Sequence, residues 1–187
     1  VGDTSQNWNT AANWSSDPAA PTGNFTVNTA AEGVFPVLSA ASAFTPVDIL
    51  IGSGAGQVGR FDVNAGNVAT GGPNWLLIGT QGGTGTLNIA AGATVTGRVH
   101  MAHTFTTGTG TINVNGTLAS AGEVVIADGL NATATAIGTL NVNSGGTVNS
   151  EGDLLLAFAG NSSTTGTVNL AAGGTINVAS TLKRWVI

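Results

Sequence analysis

Cysteine is absent from the chain, and charged side chains are rare. Without cysteine there is no zinc–thiolate site, iron–sulfur cluster, thiol nucleophile or disulfide framework. Charged residues make up 7% of the sequence, far below the usual share of roughly 25%. Helix bundles and coiled coils are excluded, since they need many charged residues and leucines.

Basic residues are the scarcest charged group, and the net charge is −5. Nucleic acid and anionic membranes bind to clustered basic faces, so we expect neither as a partner. No apolar run approaches the length of about 18 residues that a membrane-spanning helix needs. Low charge with abundant Gly, Thr, Asn and Ser favours an extracellular or cell-surface location. The basic residues are Arg60, Arg98, Lys183 and Arg184.

A five-residue motif, Gly-Thr-apolar-Asn-apolar, recurs five times at intervals of 25 to 28 residues, with a degenerate first copy. An apolar segment precedes each copy, and a third apolar position follows it. Each repeat therefore holds three short strand candidates separated by turn residues. The copies are Gly59–Val63, Gly85–Ile89, Gly110–Val114, Gly138–Val142 and Gly166–Leu170.

Three short strands per repeat indicate an all-β, right-handed parallel β-solenoid with three strands per coil. We expect about five regular coils in residues 45–180. Residues 1–44, which contain Trp8 and Trp14, are predicted to form an irregular N-terminal cap. Residues 181–187 are predicted to be a C-terminal cap or an attachment strand. An antiparallel β-sandwich is the alternative, but matched Asn and Gly at five positions favour the solenoid.

Alternation along the second strand of each repeat predicts aliphatic side chains inside and two polar columns outside. The asparagine column predicts amide hydrogen bonds from coil to coil. The regular threonine hydroxyls leave ice binding as a third functional hypothesis. The columns are Arg60, Thr86, Thr111, Thr139 and Thr167, and Asp62, Asn88, Asn113, Asn141 and Asn169.

The first strand has an unusual outward row, because it is apolar where a solvent-facing row should be polar. An apolar surface of this size predicts a contact: with the chain's own N-terminal segment or a long turn, with another copy in an oligomer or filament, or with a ligand. The row is Leu50, Leu77, His100, Val125 and Leu155, and we expect a second outward row at Gly52, Gly79, Ala102, Ala127 and Ala157. The terminal Trp185, Val186 and Ile187 complete the candidate self-association interface.

The residue just before the apolar core of the first strand in each repeat forms another outward row, which contains four charged residues and one tryptophan. It should place Arg98 between Trp75 and Glu123, one coil to each side. Trp75 and Arg98 form a candidate platform for a sugar ring, so a carbohydrate-binding module with a polysaccharide partner is the alternative function. The row is Asp48, Trp75, Arg98, Glu123 and Asp153.

Long segments of the chain resemble the β-helix repeats of bacterial autotransporter passengers and PEP-CTERM-associated surface proteins. The matching segments are Gly85–Thr96, Gly138–Asn149 and Gly166–Asn177, and the opening Asn7–Trp14 with Ala20–Thr22 resembles the stretch that often precedes such arrays. The resemblance implies a β-helix that serves as a stalk, adhesin or surface scaffold.

Parallel β-helices also carry polysaccharide lyases and hydrolases, which need clustered carboxylates or basic groups. The acids here are scattered, and the nearest approach is Asp128 beside His103, one coil apart, which we interpret as a structural pair. His100 and His103 should face opposite ways, because residues three apart on a strand alternate. We therefore expect no catalytic residues, no metal site and no cofactor. The sequence predicts a non-enzymatic extracellular scaffold, adhesin or filament subunit.

Overall fold

The computed structural model describes residues 7–9, 23–28, 35–72, 74–179 and 185–186. These residues form short strands in three parallel sheets, with about five stacked turns, so the predicted β-solenoid is confirmed. The antiparallel sandwich is excluded, because every pairing between strands of the described residues is parallel. No helix in the described ranges is suited to crossing a bilayer.

Each of the five regular coils contributes one strand to each sheet, and β1, β2 and β18 add strands at the ends. The first sheet contains β1 (Phe25–Val27), β3 (Ile49–Ser53), β6 (Trp75–Thr80), β9 (Arg98–Met101), β12 (Val124–Gly129), β15 (Leu154–Ala159) and β18 (Trp185–Val186). The second contains β2 (Val37–Leu38), β4 (Val58–Val63), β7 (Thr84–Ile89), β10 (Thr107–Val114), β13 (Thr135–Val142) and β16 (Thr165–Leu170). The third contains β5 (Asn67–Ala69), β8 (Thr94–Thr96), β11 (Thr117–Ser120), β14 (Thr147–Ser150) and β17 (Thr175–Val178).

The repeated motif lies in register through the second sheet, glycine on glycine and asparagine on asparagine. The outward amides form the predicted ladder. Asn113 Nδ2 donates to Asn88 Oδ1 at 2.7 Å, and Asn141 Nδ2 donates to Asn113 Oδ1 at 2.7 Å. Asn169 donates to Asn141 at 2.8 Å, and Asp62 accepts from Asn88 at 2.6 Å. The ladder therefore joins every coil from β4 to β16.

The N-terminal end of the stack is closed by an aromatic cluster. Trp8 is fully buried and stacks on Phe61, with ring centroids 4.3 Å apart and the planes tilted by 18°. Phe25 lies 5.1 Å from the Trp8 ring, and Trp8 Nε1 donates to Ser42 Oγ at 2.8 Å. Strands β1 and β2 extend the sheets in front of the first regular coil. Trp14 lies outside the described residues.

The opposite end of the stack is more open. Val186 is aligned with Leu155 in the parallel pairing of β18 with β15, so this pair continues the chain's own first sheet. On the last coil, Leu170 is 54% exposed and Phe158 is 49% exposed. Lys183, Arg184 and Ile187 lie outside the described residues.

The predicted second outward row is wrong, because its residues form a left-handed corner between the first and second sheets. Gly52, Gly79, Ala102 and Ala127 are buried at this corner. A Cβ on Gly79 would lie 1.8 Å from the Thr109 carbonyl oxygen, so only glycine fits that tight corner. The φ angles of Gly52, Gly79, Ala102, Ala127 and Ala157 are 66°, 71°, 52°, 68° and 51°.

Candidate functional site

The outward row of the first sheet is less open than its sequence suggests. Its members are aligned from coil to coil as predicted. However, Val125 is only 1% exposed and His100 only 7%. Leu50, Leu77 and Leu155 are half-buried. The exposed apolar face that we expected is therefore interrupted in its middle by a polar cluster.

That cluster is built around the carboxylate of Asp128, which is 3% exposed. Asp128 Oδ2 lies 2.6 Å from His100 Nδ1 and 2.6 Å from His103 Nδ1. The two imidazole rings are nearly perpendicular, with centroids 5.4 Å apart. Two histidines of one coil therefore converge on one oxygen of the next coil. The expected pairing of Asp128 with His103 is present, and His100 is an additional partner.

The expectation that His100 and His103 face opposite ways is wrong. Strict alternation holds only while the backbone stays extended, and Ala102 between them has a φ of 52°. The chain turns there, so His103 comes to the same side as His100. His103 and Asp128 each follow an alanine at this corner, and the bridge from Thr104 to Gly129 aligns the two segments.

Glu123 fixes the other side of the His100 ring. Glu123 Oε1 lies 3.0 Å from His100 Nε2, and Arg98 Nε donates to the same oxygen at 2.8 Å. The Arg98 guanidinium lies over the Trp75 ring, 4.4 Å from its centroid. The predicted order Trp75, Arg98, Glu123 is confirmed. Trp75 also contacts the edge of His100, with centroids 4.6 Å apart.

The electrostatics of the cluster keep both acids ionised. Burial raises the pKa of Asp128, but hydrogen bonds from His100 and His103 and their charges outweigh burial and lower the pKa to about 2. Burial likewise raises the pKa of Glu123, while hydrogen bonds from Arg98 and His100 bring that pKa below its ordinary value. Two ionised carboxylates therefore hold the His100 ring from both sides, and one of them, Asp128, also holds His103.

An open depression adjoins the cluster on the side of the next coil. It is lined by His100, Glu123, Val125, Glu151, Gly152, Asp153, Leu155, Phe158 and Ala179. The depression gives solvent a route to His100 and Glu123. Within the described part of the chain, Asp153 Oδ1 is a buried oxygen with no hydrogen-bond partner.

The candidate glycan platform is only partly available. Trp75 and Arg98 are adjacent as predicted, but the guanidinium covers one face of the indole ring. A sugar stacking on that face would have to displace Arg98 from both Trp75 and Glu123. Carbohydrate binding at Trp75 stays a prediction.

Three side chains of the cluster offer ligand atoms to a metal ion. Atoms of His100, His103 and Asp128 lie within 4.8 Å of one another. Sequence reasoning missed this arrangement because it applied strand alternation across a corner. The available signal was the alignment of Ala102-His103 with Ala127-Asp128 in successive repeats.

No protein family, curated protein or solved structure gives a significant match to this chain. The resemblance to autotransporter and PEP-CTERM-associated repeats therefore stays a prediction from the motif.

Proposed function

We propose that the chain is a rigid, non-enzymatic structural solenoid of the cell surface, acting as a scaffold, adhesin stalk or filament subunit. The observation that supports this proposal is the unbroken register of the second sheet. Identical positions stack through successive coils, and the asparagine ladder adds side-chain hydrogen bonds along the same axis. A stack held along its whole length is suited to bearing load and to spacing other groups apart.

We further propose that copies associate through the exposed apolar side chains of the coil formed by β15 to β17. Phe158 and Leu170 are exposed apolar side chains of the last coil. Burying the exposed half of each of these side chains in a contact is favourable by about 1 kcal/mol before association costs. The interface predicted along the first sheet is weaker support, because Val125 and His100 are already covered.

Sedimentation velocity and negative-stain electron microscopy over a range of concentrations test this assembly. The parent should form larger, elongated species as its concentration rises, and Leu170→Asp should remain monomeric. Ile137→Asp is the matched control, since Ile137 is a 43% exposed aliphatic residue in the middle of the stack. That variant should assemble like the parent.

Two results would contradict the proposed end contact. The first is a parent that stays monomeric at every concentration. The second is a Leu170→Asp variant that still assembles while Leu77→Asp abolishes assembly. Leu77 is in the outward row of the first sheet, so the second result would place the contact on the side of the solenoid.

A further inference from the structure

We infer that His100, His103 and Asp128 form a binding site for a divalent first-row transition metal ion, with Zn²⁺ the best fit. The site would link the coil of β9 to the coil of β12. This inference goes beyond the structural function proposed above and does not depend on it. Imidazole nitrogens and a carboxylate oxygen are ordinary zinc ligands, and three protein ligands leave a fourth position for water.

The donor atoms at the centre of the cluster carry the inference. When His100 Nε2–H donates to Glu123, the neutral ring leaves its Nδ1 lone pair directed at Asp128 Oδ2, 2.6 Å away. A lone pair facing a carboxylate oxygen at that distance is repelled unless a proton or a metal ion lies between the two atoms. His103 Nδ1 faces the same oxygen at 2.6 Å. Either protons on both rings or one metal ion satisfies this arrangement.

Metal binding at this point balances in charge. One M²⁺ ion displaces the proton on each Nδ1 atom. The proton from His100 passes to solvent, because Nε2 of that ring already carries the hydrogen that Glu123 accepts, and the proton from His103 passes to Nε2 of its own ring or to solvent. Asp128 and Glu123 stay ionised throughout. Ligand atoms around tetrahedral zinc lie roughly 3.3 Å apart. Each Nδ1 atom therefore needs to move less than 1 Å away from Asp128 Oδ2, from its present 2.6 Å, and all three ligand atoms already lie within 4.8 Å of one another.

The surroundings already supply the outer contacts of a metal site. A carboxylate on the far nitrogen of a metal-bound histidine fixes its tautomer and orientation, and Glu123 holds this position on His100. Trp75 packs against both rings, 4.6 Å from His100 and 6.0 Å from His103 between centroids. The His103 side chain is 24% exposed, which gives an ion a way in.

Calorimetric titration of the EDTA-treated, dialysed protein with Zn²⁺ tests the site. The parent should bind one ion per chain, and His103→Phe should weaken binding at least tenfold. Phenylalanine is chosen because Phe158 occupies the corresponding corner position, aligned with Asp128 one coil further on. Glu151→Gln is the matched control: Glu151 is an exposed acid lining the neighbouring depression, and its variant should bind like the parent.

Long-range ¹H–¹⁵N spectra of histidine-labelled protein identify the ligand atoms, since the chain has only two histidines. On adding Zn²⁺, both Nδ1 signals should move and Nε2 of His100 should remain protonated. Circular dichroism of His103→Phe confirms that the variant is folded. Equal Zn²⁺ affinity in the parent and in His103→Phe would overturn the inference. So would unchanged Nδ1 signals at saturating Zn²⁺.

Discussion

The two ends of the solenoid carry nearly the same repeat but bury it very differently. At the N-terminal end, the Trp8 ring covers Phe61, and the core side chains of the first regular coil are as fully buried as those in the middle of the stack. At the other end, Leu170 occupies the position of Val142 one coil earlier, yet Leu170 is 54% exposed and Val142 is fully buried. A coil's contribution to stability therefore depends on having a neighbour on both sides, as expected for a repeat protein.

Removing the aromatic cap should give the largest effect. Trp8→Ala leaves a cavity above Phe61, and we expect the free energy of unfolding to fall by about 3–5 kcal/mol. Phe158→Ala, an aromatic truncation at the open end, should cost about 1 kcal/mol or less, because half of that side chain already faces solvent. Urea denaturation followed by circular dichroism measures both. Equal losses for the two variants would refute a sealed N-terminal end.

Val142 and Leu170 occupy aligned positions in the second sheet, but among the described residues only Val142 is covered by a following coil. Truncating each to alanine shows how much the following coil adds to stability. Val142→Ala should destabilise the protein by about 2 kcal/mol, since the methyl groups are lost from a filled core. Leu170→Ala removes more atoms but should cost less than about 1 kcal/mol, because Leu170 lies on the open face. The same denaturation experiment decides the order. A larger loss for Leu170→Ala would show that the last coil is packed like the others.

The histidine cluster is a third region for comparison, because there the stability contribution depends on the ionisation of Asp128 rather than on the position of the coil in the stack. The pKa of Asp128 is lowered from 3.8 to about 2 on folding. Its stabilising contribution, about 2 kcal/mol, is therefore complete above roughly pH 5 and is lost as the pH falls toward 2. The groups that face Asp128 are His100 and His103, and Glu123 and Arg98 adjoin them.

Unfolding free energies of the parent and Asp128→Asn, measured in EDTA between pH 6 and pH 2.5, test this assignment. The parent should lose stability faster than the variant over the acidic part of the range. Parallel loss in both proteins would mean that Asp128 contributes nothing to the acid sensitivity of the stack.

In the asparagine ladder, the loss of stability on substitution should differ least between the middle of the stack and its last coil. Asn113 donates to one neighbour and accepts from another, whereas Asn169 shows only its donation to Asn141. Asn113→Ala should cost about 1–2 kcal/mol and Asn169→Ala about half of that, at roughly 0.5–1.5 kcal/mol per hydrogen bond. Melting temperatures of the two variants should differ in this order, and the reverse order would contradict a ladder that acts along the whole stack.

The repeat motif predicted the second sheet well because period-two alternation and matched turns leave one register for each strand. Gly138 aligns with Gly110, and Asn141 with Asn113, as the sequence suggests. The corner after the first strand was not predictable by the same rule. Alternation assumes an extended backbone, and Ala102 and Ala127 adopt positive φ there.

The positive φ of the corner residues after the first strand explains two errors of the sequence-based predictions, the second outward row and the direction of His103. It turns Gly52, Gly79, Ala102 and Ala127 inward, which leaves only Ala157 of the expected second outer row exposed. It also brings His103 to the side of His100. Alanine in place of glycine at this corner coincides with a longer connection to the next motif: Ala102 precedes Gly110 by more residues than Gly79 precedes Gly85. Burial of Val125 was also missed, because strand alternation places this residue in the outward row of the first sheet, yet it is only 1% exposed.

Hydrogen exchange of backbone amides, measured segment by segment, tests the central claim that each coil is protected by its neighbours. The account predicts strong and similar protection for Gly59–Val63 through Gly138–Val142. Protection should then fall sharply at Gly166–Leu170, although the motif is the same. Equal protection of the last motif and the central ones, in the monomeric protein, would contradict the account.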